Sequence, residues 1–301
     1  MIPAGFTVRP ARHEDAAAIA ALMGALDDAV GIENDTSESD VRAGWLKLEL
    51  ERDTRLVETG DGRLAAYVDL TERGPAPFFD GYVHPDAHGQ GLGRALVRLG
   101  QELAAGRGDR VRTGILARDE AAACLLASEG FRTTRSFYRM TIDLDGPPPD
   151  PEVPPGIVLR PFELGEAEAF HRATEEAFAD HWEWTPETFE AWEKRTIGAD
   201  DFDPALWLTA LDGDTIAGTL RGTAKRFGSG WVGSLAVRRP WRRRGLGAAL
   251  LLASFGEFWR RGEPRVALGV DAESETGATR LYERLGMQIG WQADIYEKEI
   301  P

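Results

Sequence analysis

The stretch Arg242-Arg-Arg-Gly-Leu-Gly247 decides how this chain is interpreted, because it joins a strand-like run ending at Val237 to an apolar segment with helical spacing. A similar stretch, His88-Gly-Gln-Gly-Leu-Gly93, lies at the same place in the first half of the chain. Two glycines separated by one residue let the backbone approach a ligand, and the free N–H groups of the following helix favour an anion. Both stretches therefore predict a phosphate-binding loop. The alternative is a helix start that only needs tight backbone packing.

The same order of elements surrounds both loops. Each half begins with a short strand, at Phe6–Pro10 or Ile157–Pro161, that leads into a helix. Two strands joined by an Asp-Gly turn follow, and then a strand, the glycine loop, a helix, a strand, a short helix and a last strand. A repeat of about 150 residues is far longer than that of a stacked solenoid. The order predicts an α/β fold of two tandem domains, each a mixed central β-sheet flanked by α-helices.

A proline-rich segment separates the two halves. Residues 145–156 contain six prolines, and this composition continues neither a helix nor a central strand. We therefore predict an N-terminal domain at 1–144, a stiff linker at 145–156 and a C-terminal domain at 157–301.

Composition limits the class of protein. A chain with 43% hydrophobic and 28% charged residues is typical of a globular protein, and no secretory signal or membrane-spanning run is visible, so we expect a cytoplasmic protein that binds no membrane. The net charge of −15 disfavours nucleic acid as a partner and favours a cationic small molecule. Cys124 is the single cysteine, and its apolar neighbours predict a buried side chain rather than a nucleophile. The histidines lack metal-ligand spacing, so we expect no metal.

The two loops resemble the acyl-CoA loop of the GNAT superfamily of N-acyltransferases, whose pattern is Arg/Gln-x-x-Gly-x-Gly/Ala after a strand. The second loop matches fully, whereas the first carries His88 in place of Arg/Gln. The stretch Ser274–Met287 resembles the second signature of that superfamily, Asn-x-x-Ala/Gly followed by Leu-Tyr-x-x-x-Gly-Phe, with serine for asparagine and methionine for phenylalanine. The resemblance covers nearly the whole chain. Among tandem-domain members, the pattern is most similar to mycothiol synthase-like proteins.

The resemblance implies acetyl-CoA as the acyl donor. It also implies that backbone N–H groups of the strand ending at Val237, those of Leu235 or Val237, hold the pantetheine arm and polarise the thioester carbonyl. The donor-binding residues expected in the second half are Leu235, Ala236, Val237, Arg242, Arg243, Arg244, Gly245, Leu246, Gly247, Ala248 and Ser274. Those expected in the first half are Tyr82, Val83, Gly89, Gly91 and Gly93.

Tyr282 occupies the position of the superfamily's catalytic tyrosine, and a phenol suits protonation of a departing thiolate. The alternative role for Tyr282 is core packing beside Leu281 and Leu285. In the first half Leu126 takes this place, and a leucine cannot deliver a proton. We therefore expect only the C-terminal domain to be catalytic, while the N-terminal domain binds CoA or serves as a scaffold.

The acceptor side is expected between the first helix and the hairpin of the second half. Glu175, Glu176, Asp180 and His181 are candidate bases there, with Glu175 and His181 preferred, although a solvated helix face or a water chain are alternatives. Asp180, Trp182 and Trp231 are candidates for binding the amine. Mycothiol synthase-like proteins carry an acidic residue on the strand before the loop, whereas Gly230–Ser234 has none, which argues against the mycothiol precursor as acceptor.

These features favour an acetyl-CoA-dependent N-acetyltransferase that acts on a small amine, such as an aminoglycoside-like or amino-sugar acceptor. One alternative is a noncatalytic acyl-CoA-binding or regulatory protein, which Ser274 and the missing strand carboxylate favour and Tyr282 opposes. Another is a mycothiol synthase-type or longer-chain N-acyltransferase. The acceptor and the oligomeric state do not follow from the sequence.

Overall fold

The computed structural model describes residues 2–32, 36–274 and 276–300. The chain forms two compact units, one of Met1–Phe137 with Trp291–Pro301 and the other of Tyr138–Gly290. Each unit contains a mixed β-sheet with flanking helices, as the order of elements predicts.

The first unit holds the elements of the first half of the chain. They are β1 (Phe6–Arg9), α1 (Ala16–Val30), α2 (Glu38–Trp45), α3 (Leu50–Asp53), β2 (Thr54–Thr59), β3 (Leu64–Arg73), β4 (Ala76–Val83), α4 (Leu92–Ala104), β5 (Arg110–Leu116), α5 (Glu120–Ser128) and the start of β6 (Arg132–Asp143). Strands β1 to β4 form an antiparallel meander, and β4 and β5 are parallel.

The second unit repeats this plan. Its elements are the end of β6, then β7 (Ile157–Pro161), α6 (Ala167–Phe178), α7 (Phe189–Thr196), β8 (Trp207–Asp212), β9 (Thr215–Arg226), β10 (Ser229–Val237), α8 (Leu246–Arg260), β11 (Arg265–Asp271), α9 (Ala278–Arg284) and the start of β12 (Gln288–Glu299). Strands β7 to β10 are antiparallel, and β10 and β11 are parallel.

Each unit includes strand residues from the opposite half of the chain. In the first unit, residues 293–299 of β12 pair antiparallel with residues 110–116 of β5. In the second unit, the end of β6 lies beside β11. These boundaries differ from the predicted 1–144 and 157–301 because β6 and β12 occupy equivalent places at the ends of the two halves. The order of elements does not say which of the two strands pairs at which edge.

Equivalent helices bury equivalent positions. Helix α4 buries Leu92 and Leu96 with the alanine between them, and α8 buries Leu246 and Leu250 in the same spacing. Apolar residues at i, i+3 and i+4 lie on one helical face, which here packs on the sheet. Each leucine buried in this way stabilises the unit by roughly 1.5–3 kcal/mol.

The prediction of a buried Cys124 was wrong, because the side chain is exposed on α5. On that helix the buried residue is Leu126, two positions later. A helix of small and apolar residues presents no clear polar face, so the sequence around Cys124 did not show which side would meet solvent.

Candidate active site

A gap opens between two strands of the second unit. Among the described residues, β10 pairs with β11 only from Gly230 to Val232. The register of β10 against β9 then shifts between Val232 and Ser234, and β10 continues along β9 to Val237. Backbone N–H groups point alternately to the two sides of a strand, so this last part of β10 presents N–H groups to the gap. Leu235, Ala236 and Val237 all lie on this segment.

The first unit contains the same feature. Pairing of β4 with β5 covers only Phe78 and Phe79 of β4, although that strand continues to Val83. The end of β4, with Tyr82 and Val83, therefore lies along a corresponding gap, where the Tyr82 ring stacks on Tyr67 at 6.3 Å between centroids.

The glycine loops have the same backbone conformation. Gly245 caps α8 with φ +86° and Gly91 caps α4 with φ +83°, a left-handed conformation that favours glycine. At the second position of the loop, Arg243 adopts φ +60° where the first loop has Gly89 at φ +76°. The second loop thus places an arginine in a conformation that costs free energy for a side chain with a Cβ.

The last glycine of each loop packs against a short helix. This helix is α9 for Gly247 and α5 for Gly93. A Cβ on Gly247 would lie 3.2 Å from Leu281 Cδ2, and one on Gly93 would lie 3.1 Å from Leu125 Cδ2. Glycine therefore keeps the start of α8 close to α9 and leaves its first N–H groups uncovered. A helix start of this kind attracts an anion, which supports the phosphate-binding interpretation.

Arg242 binds the protein itself. Its Nε donates to Val237 O at 3.0 Å and its Nη2 to Ala177 O at 2.8 Å, while Nη1 lies 2.9 Å from Asp180 Oδ2. In the first unit, His88 Nε2 lies 3.1 Å from Val83 O, the carbonyl equivalent to that of Val237. The structure thus makes Arg242 a residue that positions the end of β10 and the loop, and His88 replaces one of its three contacts.

Arg243 and Arg244 are exposed beside the start of α8. In the part of the chain that the structure describes, neither guanidinium makes an ion pair or hydrogen bond. These two side chains, with the N–H groups of Leu246, Gly247 and Ala248, form a cationic surface suited to phosphate groups.

The Asp180 carboxylate forms ion pairs with arginines. It pairs with both Arg239 and Arg242, and these hydrogen bonds hold the pKa of its carboxyl well below the usual range. The carboxylate therefore supports the loop and has its charge compensated. The neighbouring carboxylate of Glu176 is likewise paired, at 2.7 Å from Arg238.

Tyr282 lies on α9 with its ring in the core against α8, and it is 7% exposed. Burial raises the pKa of its hydroxyl to about 12. None of the described residues hydrogen-bonds to this hydroxyl, so it is a protonated donor with no protein acceptor. The equivalent Leu126 is buried in the first unit.

Aromatic and acidic side chains follow one another at the end of α6. The Phe178 ring contacts His181 at 4.4 Å and Trp184 at 5.0 Å between centroids. Glu175 accepts a hydrogen bond from Trp184 Nε1 at 3.2 Å, and Glu175 Oε1 lies 3.6 Å from the buried His171 Nε2. Burial lowers the pKa of His181, even though part of its side chain is exposed. The charge of Asp271, at the end of β11, opposes this shift.

The other predicted site residues are distributed around the gap. Ser274 is in the turn after β11, where its hydroxyl bonds Thr276 at 2.8 Å and its N–H donates to Asp271 O. Trp231 lies before the gap on β10, and the Arg139 guanidinium covers its ring at 5.2 Å. Trp182 is half-buried between α6 and α7.

Arg221 on β9 is a further candidate, which the sequence patterns did not indicate. Its guanidinium lies beside Gly233, the first residue of β10 beyond the pairing with β11. The available signal was a single charged residue within the otherwise uncharged run 215–224. A lone charge in a central strand is uncommon, because burial of a charge is costly.

Within residues 2–32, 36–274 and 276–300, no group of three histidine, cysteine or acidic side chains is arranged to hold a metal ion. None of the described helices has the length and apolar character needed to cross a membrane.

Comparison with known proteins gives consistent matches. The model of the acetyltransferase (GNAT) family matches residues 21–131 and 167–287. The mycothiol acetyltransferase of Thermobispora bispora is 37% identical over 250 residues, which are 80% of this chain and 81% of the relative. That of Streptomyces scabiei is 32% identical over 286 residues, 91% of this chain and 89% of the relative.

Two solved structures cover almost all of the chain. The GCN5-related N-acetyltransferase from Sphaerobacter thermophilus has a TM-score of 0.88 and 41% identity, and the match covers 99% of this chain and 97% of that one. A tandem GNAT protein from the clavulanic acid biosynthesis pathway has a TM-score of 0.79 at 19% identity, with 98% of each chain covered, and shares the fold.

Proposed function

The chain belongs to the acetyltransferase (GNAT) family, and we propose that its Tyr138–Gly290 unit transfers the acetyl group of acetyl-CoA to the amine of a small molecule. The observation that carries the proposal is the Tyr282 hydroxyl. It is a donor that has no acceptor among the residues that the structure describes, and it lies on the helix that packs against the glycine loop. The first unit has an equivalent loop and gap but a leucine at this position.

The residues of the second unit suit acetyl-CoA. The helix start at Leu246, Gly247 and Ala248, with the exposed Arg243 and Arg244, would hold its phosphate groups. N–H groups of β10 along the gap would hold the pantetheine arm and the thioester carbonyl. Acetyl-CoA supplies an acetyl thioester as the electrophile.

Tyr282 acts as the general acid. Because burial keeps its pKa at about 12, the hydroxyl remains protonated at neutral pH. It donates to the departing sulfur as negative charge develops there, and its proton ends on that sulfur when the carbon–sulfur bond breaks.

His181 acts as the general base. Its lowered pKa keeps the imidazole neutral at pH 7, so that it can accept the proton that the amine nitrogen loses when the carbon–nitrogen bond forms. Glu175 serves in positioning, since its carboxylate lies between Trp184 and His171. Asp180 supports the loop through its two arginines and does not bind the amine.

A screen of amines with acetyl-CoA tests the proposal, with free thiol followed in time. The panel contains amino sugars, aminoglycosides, and amino acids with their amides. We expect thiol release that depends on one class of acceptor, with formation of the N-acetylated amine confirmed by mass spectrometry. If no amine gives release while CoA still raises the unfolding temperature, the chain is a noncatalytic acyl-CoA-binding protein and the proposal fails.

A further inference from the structure

Arg221 lies in the middle of the sheet of the second unit, and no counter-ion pairs with it among the described residues. It is half-buried on β9, opposite Trp207 of β8 and Ser234 of β10. Its guanidinium lies 5.9 Å from the centre of the Trp207 ring. No described residue forms an ion pair or hydrogen bond with it.

The charge of Arg221 persists in this position. Burial is the main cause that lowers the pKa of the guanidinium to about 10, with smaller contributions from Arg195 and Arg226. The charges of Glu187 and Asp201 oppose this shift, and the group is still protonated at neutral pH. Both neighbours have partners of their own, since Arg195 pairs with Glu187 and Arg226 lies over the Phe227 ring. A half-buried charge of this kind is costly unless an anion compensates it.

The position of Arg221 is at the opening of the gap. A Cβ on Gly233 would lie 3.3 Å from Arg221 Nη2 and 3.6 Å from its Cζ. Gly233 directly follows Val232, the last residue of β10 that pairs with β11. Gly233 therefore leaves room for the guanidinium one residue beyond the segment of β10 that pairs with β11. This place is at the edge of the gap between the two strands.

Arg221 lies on the face of the sheet opposite α8, the helix that begins at the glycine loop Arg242–Gly247. Its neighbour two residues back, Thr219, shares its face and meets Thr174 of α6 at 2.8 Å between hydroxyl oxygens. Gly218, on the opposite face, lies against Leu250 of α8. The loop arginines follow Val237, four residues along β10 from Gly233, or about 13 Å at the usual rise of a strand. Arg221 is thus a cation separate from those suited to the phosphates.

We propose that Arg221 binds a carboxylate of the acceptor, so that the substrate is an amine that carries a carboxylate a few bonds from its nitrogen. The inference rests on the proposed function, because it takes the gap of the second unit as the place of transfer. A planar guanidinium matches a carboxylate with two parallel hydrogen bonds. Residues Gly230–Ser234 contain no acidic side chain, so this part of β10 offers no partner to a cation of the substrate, whereas Arg221 on the neighbouring β9 offers one to an anion.

This substrate class differs from the cationic molecule that the net charge of −15 suggested. The overall charge acts at long range, whereas the group in contact with the acceptor is a single unpaired arginine.

The first experiment compares L-amino acids with their α-carboxamides as acceptors at saturating acetyl-CoA. We expect the wild type to prefer the acid, and Arg221→Gln to lower the ratio of kcat/KM for acid over amide by roughly 10²-fold, as for the loss of a charged hydrogen bond. Arg221→Lys should retain part of the preference. Arg226→Gln, on the same strand, should leave the ratio unchanged. Equal use of acids and amides by the wild type, or an unchanged ratio in Arg221→Gln, would overturn the proposal.

The second experiment reads binding without turnover. N-acetylated amino acids should raise the unfolding temperature of the wild type more than their amides do, and Arg221→Gln should lose this difference. The unliganded variant should unfold at or above the wild-type temperature, because it no longer buries an unpaired charge. If no amine is acetylated, the proposed function fails while this experiment still decides the role of Arg221. Stabilisation by inorganic phosphate but by no carboxylate, or by neither, would refute a carboxylate site.

Discussion

Gly247 packs against Leu281 so closely that a Cβ on the glycine would lie 3.2 Å from Leu281 Cδ2. Leu281 directly precedes Tyr282, so this contact joins the donor loop to the proposed general acid. In the first unit Gly93 contacts Leu125 in the same way, and Leu125 precedes Leu126. The packing around the loop is therefore the same in both units, and the chemical group next to it differs.

Substitution of these two glycines distinguishes the units as CoA sites. Gly247→Val should abolish the rise in unfolding temperature that CoA gives, because the new side chain must displace Leu281 and cover the N–H groups at the start of α8. In the wild type, ligand at about 100 times its Kd should add about 2.7 kcal/mol to the free energy of unfolding. The matched variant Gly93→Val should keep the effect. If Gly247→Val keeps it and Gly93→Val loses it, the donor site has been placed in the wrong unit.

Removal of the Tyr282 hydroxyl should lower kcat by roughly 10²-fold, as is typical for a lost general acid. Tyr282→Phe retains the buried ring, so its unfolding temperature and its KM for acetyl-CoA should stay near the wild-type values. Because the pKa of this hydroxyl is about 12, kcat of the wild type should not fall through its deprotonation below about pH 10. Unchanged turnover of the variant would exclude Tyr282 as the acid.

The three arginines of the loop should differ in their effects. Arg243→Gln with Arg244→Gln should weaken CoA binding and reduce its dependence on salt, because two exposed cations near the phosphates are lost. Arg242→Gln should instead lower the unfolding temperature even without CoA, since Arg242 binds the carbonyls of Val237 and Ala177. Calorimetric titration at two salt concentrations and thermal unfolding measure these effects. A strongly salt-dependent loss of affinity in Arg242→Gln at unchanged stability would contradict a positioning role.

His181→Gln tests the general base through the pH profile. The pKa of the imidazole lies below the ordinary value of 6.5. The ring is therefore neutral at pH 7 and becomes protonated only when the pH falls through this lowered pKa. The kcat of the wild type should therefore decline on the acid side, and the variant should be slower at pH 7 and lack this decline. Glu175→Gln is the matched control and should keep it. An acid limb that persists in His181→Gln would assign the base to another group or to water.

The fold class, the tandem arrangement and the acetyltransferase assignment could be predicted from the sequence, and the family match in both halves and the tandem structural relative confirm them. They rest on local features. Gly91 and Gly245 have φ values near +85°, which favour glycine, and the apolar spacing after them marks a helix. Such features are visible in a few consecutive residues.

Contacts between distant residues were outside the reach of these patterns. Arg242 was expected at the phosphates, yet its guanidinium reaches Ala177, 65 positions earlier in the sequence. The proposal for Arg221 likewise depends on the residues that surround it in space, and among those described none forms an ion pair with it. A sequence shows the residue types available for an ion pair but not which pairs form.

The exchange of strand residues between the units has a consequence for how this enzyme can change. A cut within residues 145–156 would give two fragments, and each would lack residues that belong to its own compact unit. The unit with Leu126 therefore cannot be deleted as an independent module, because residues 293–299 would be left without β5 as a partner.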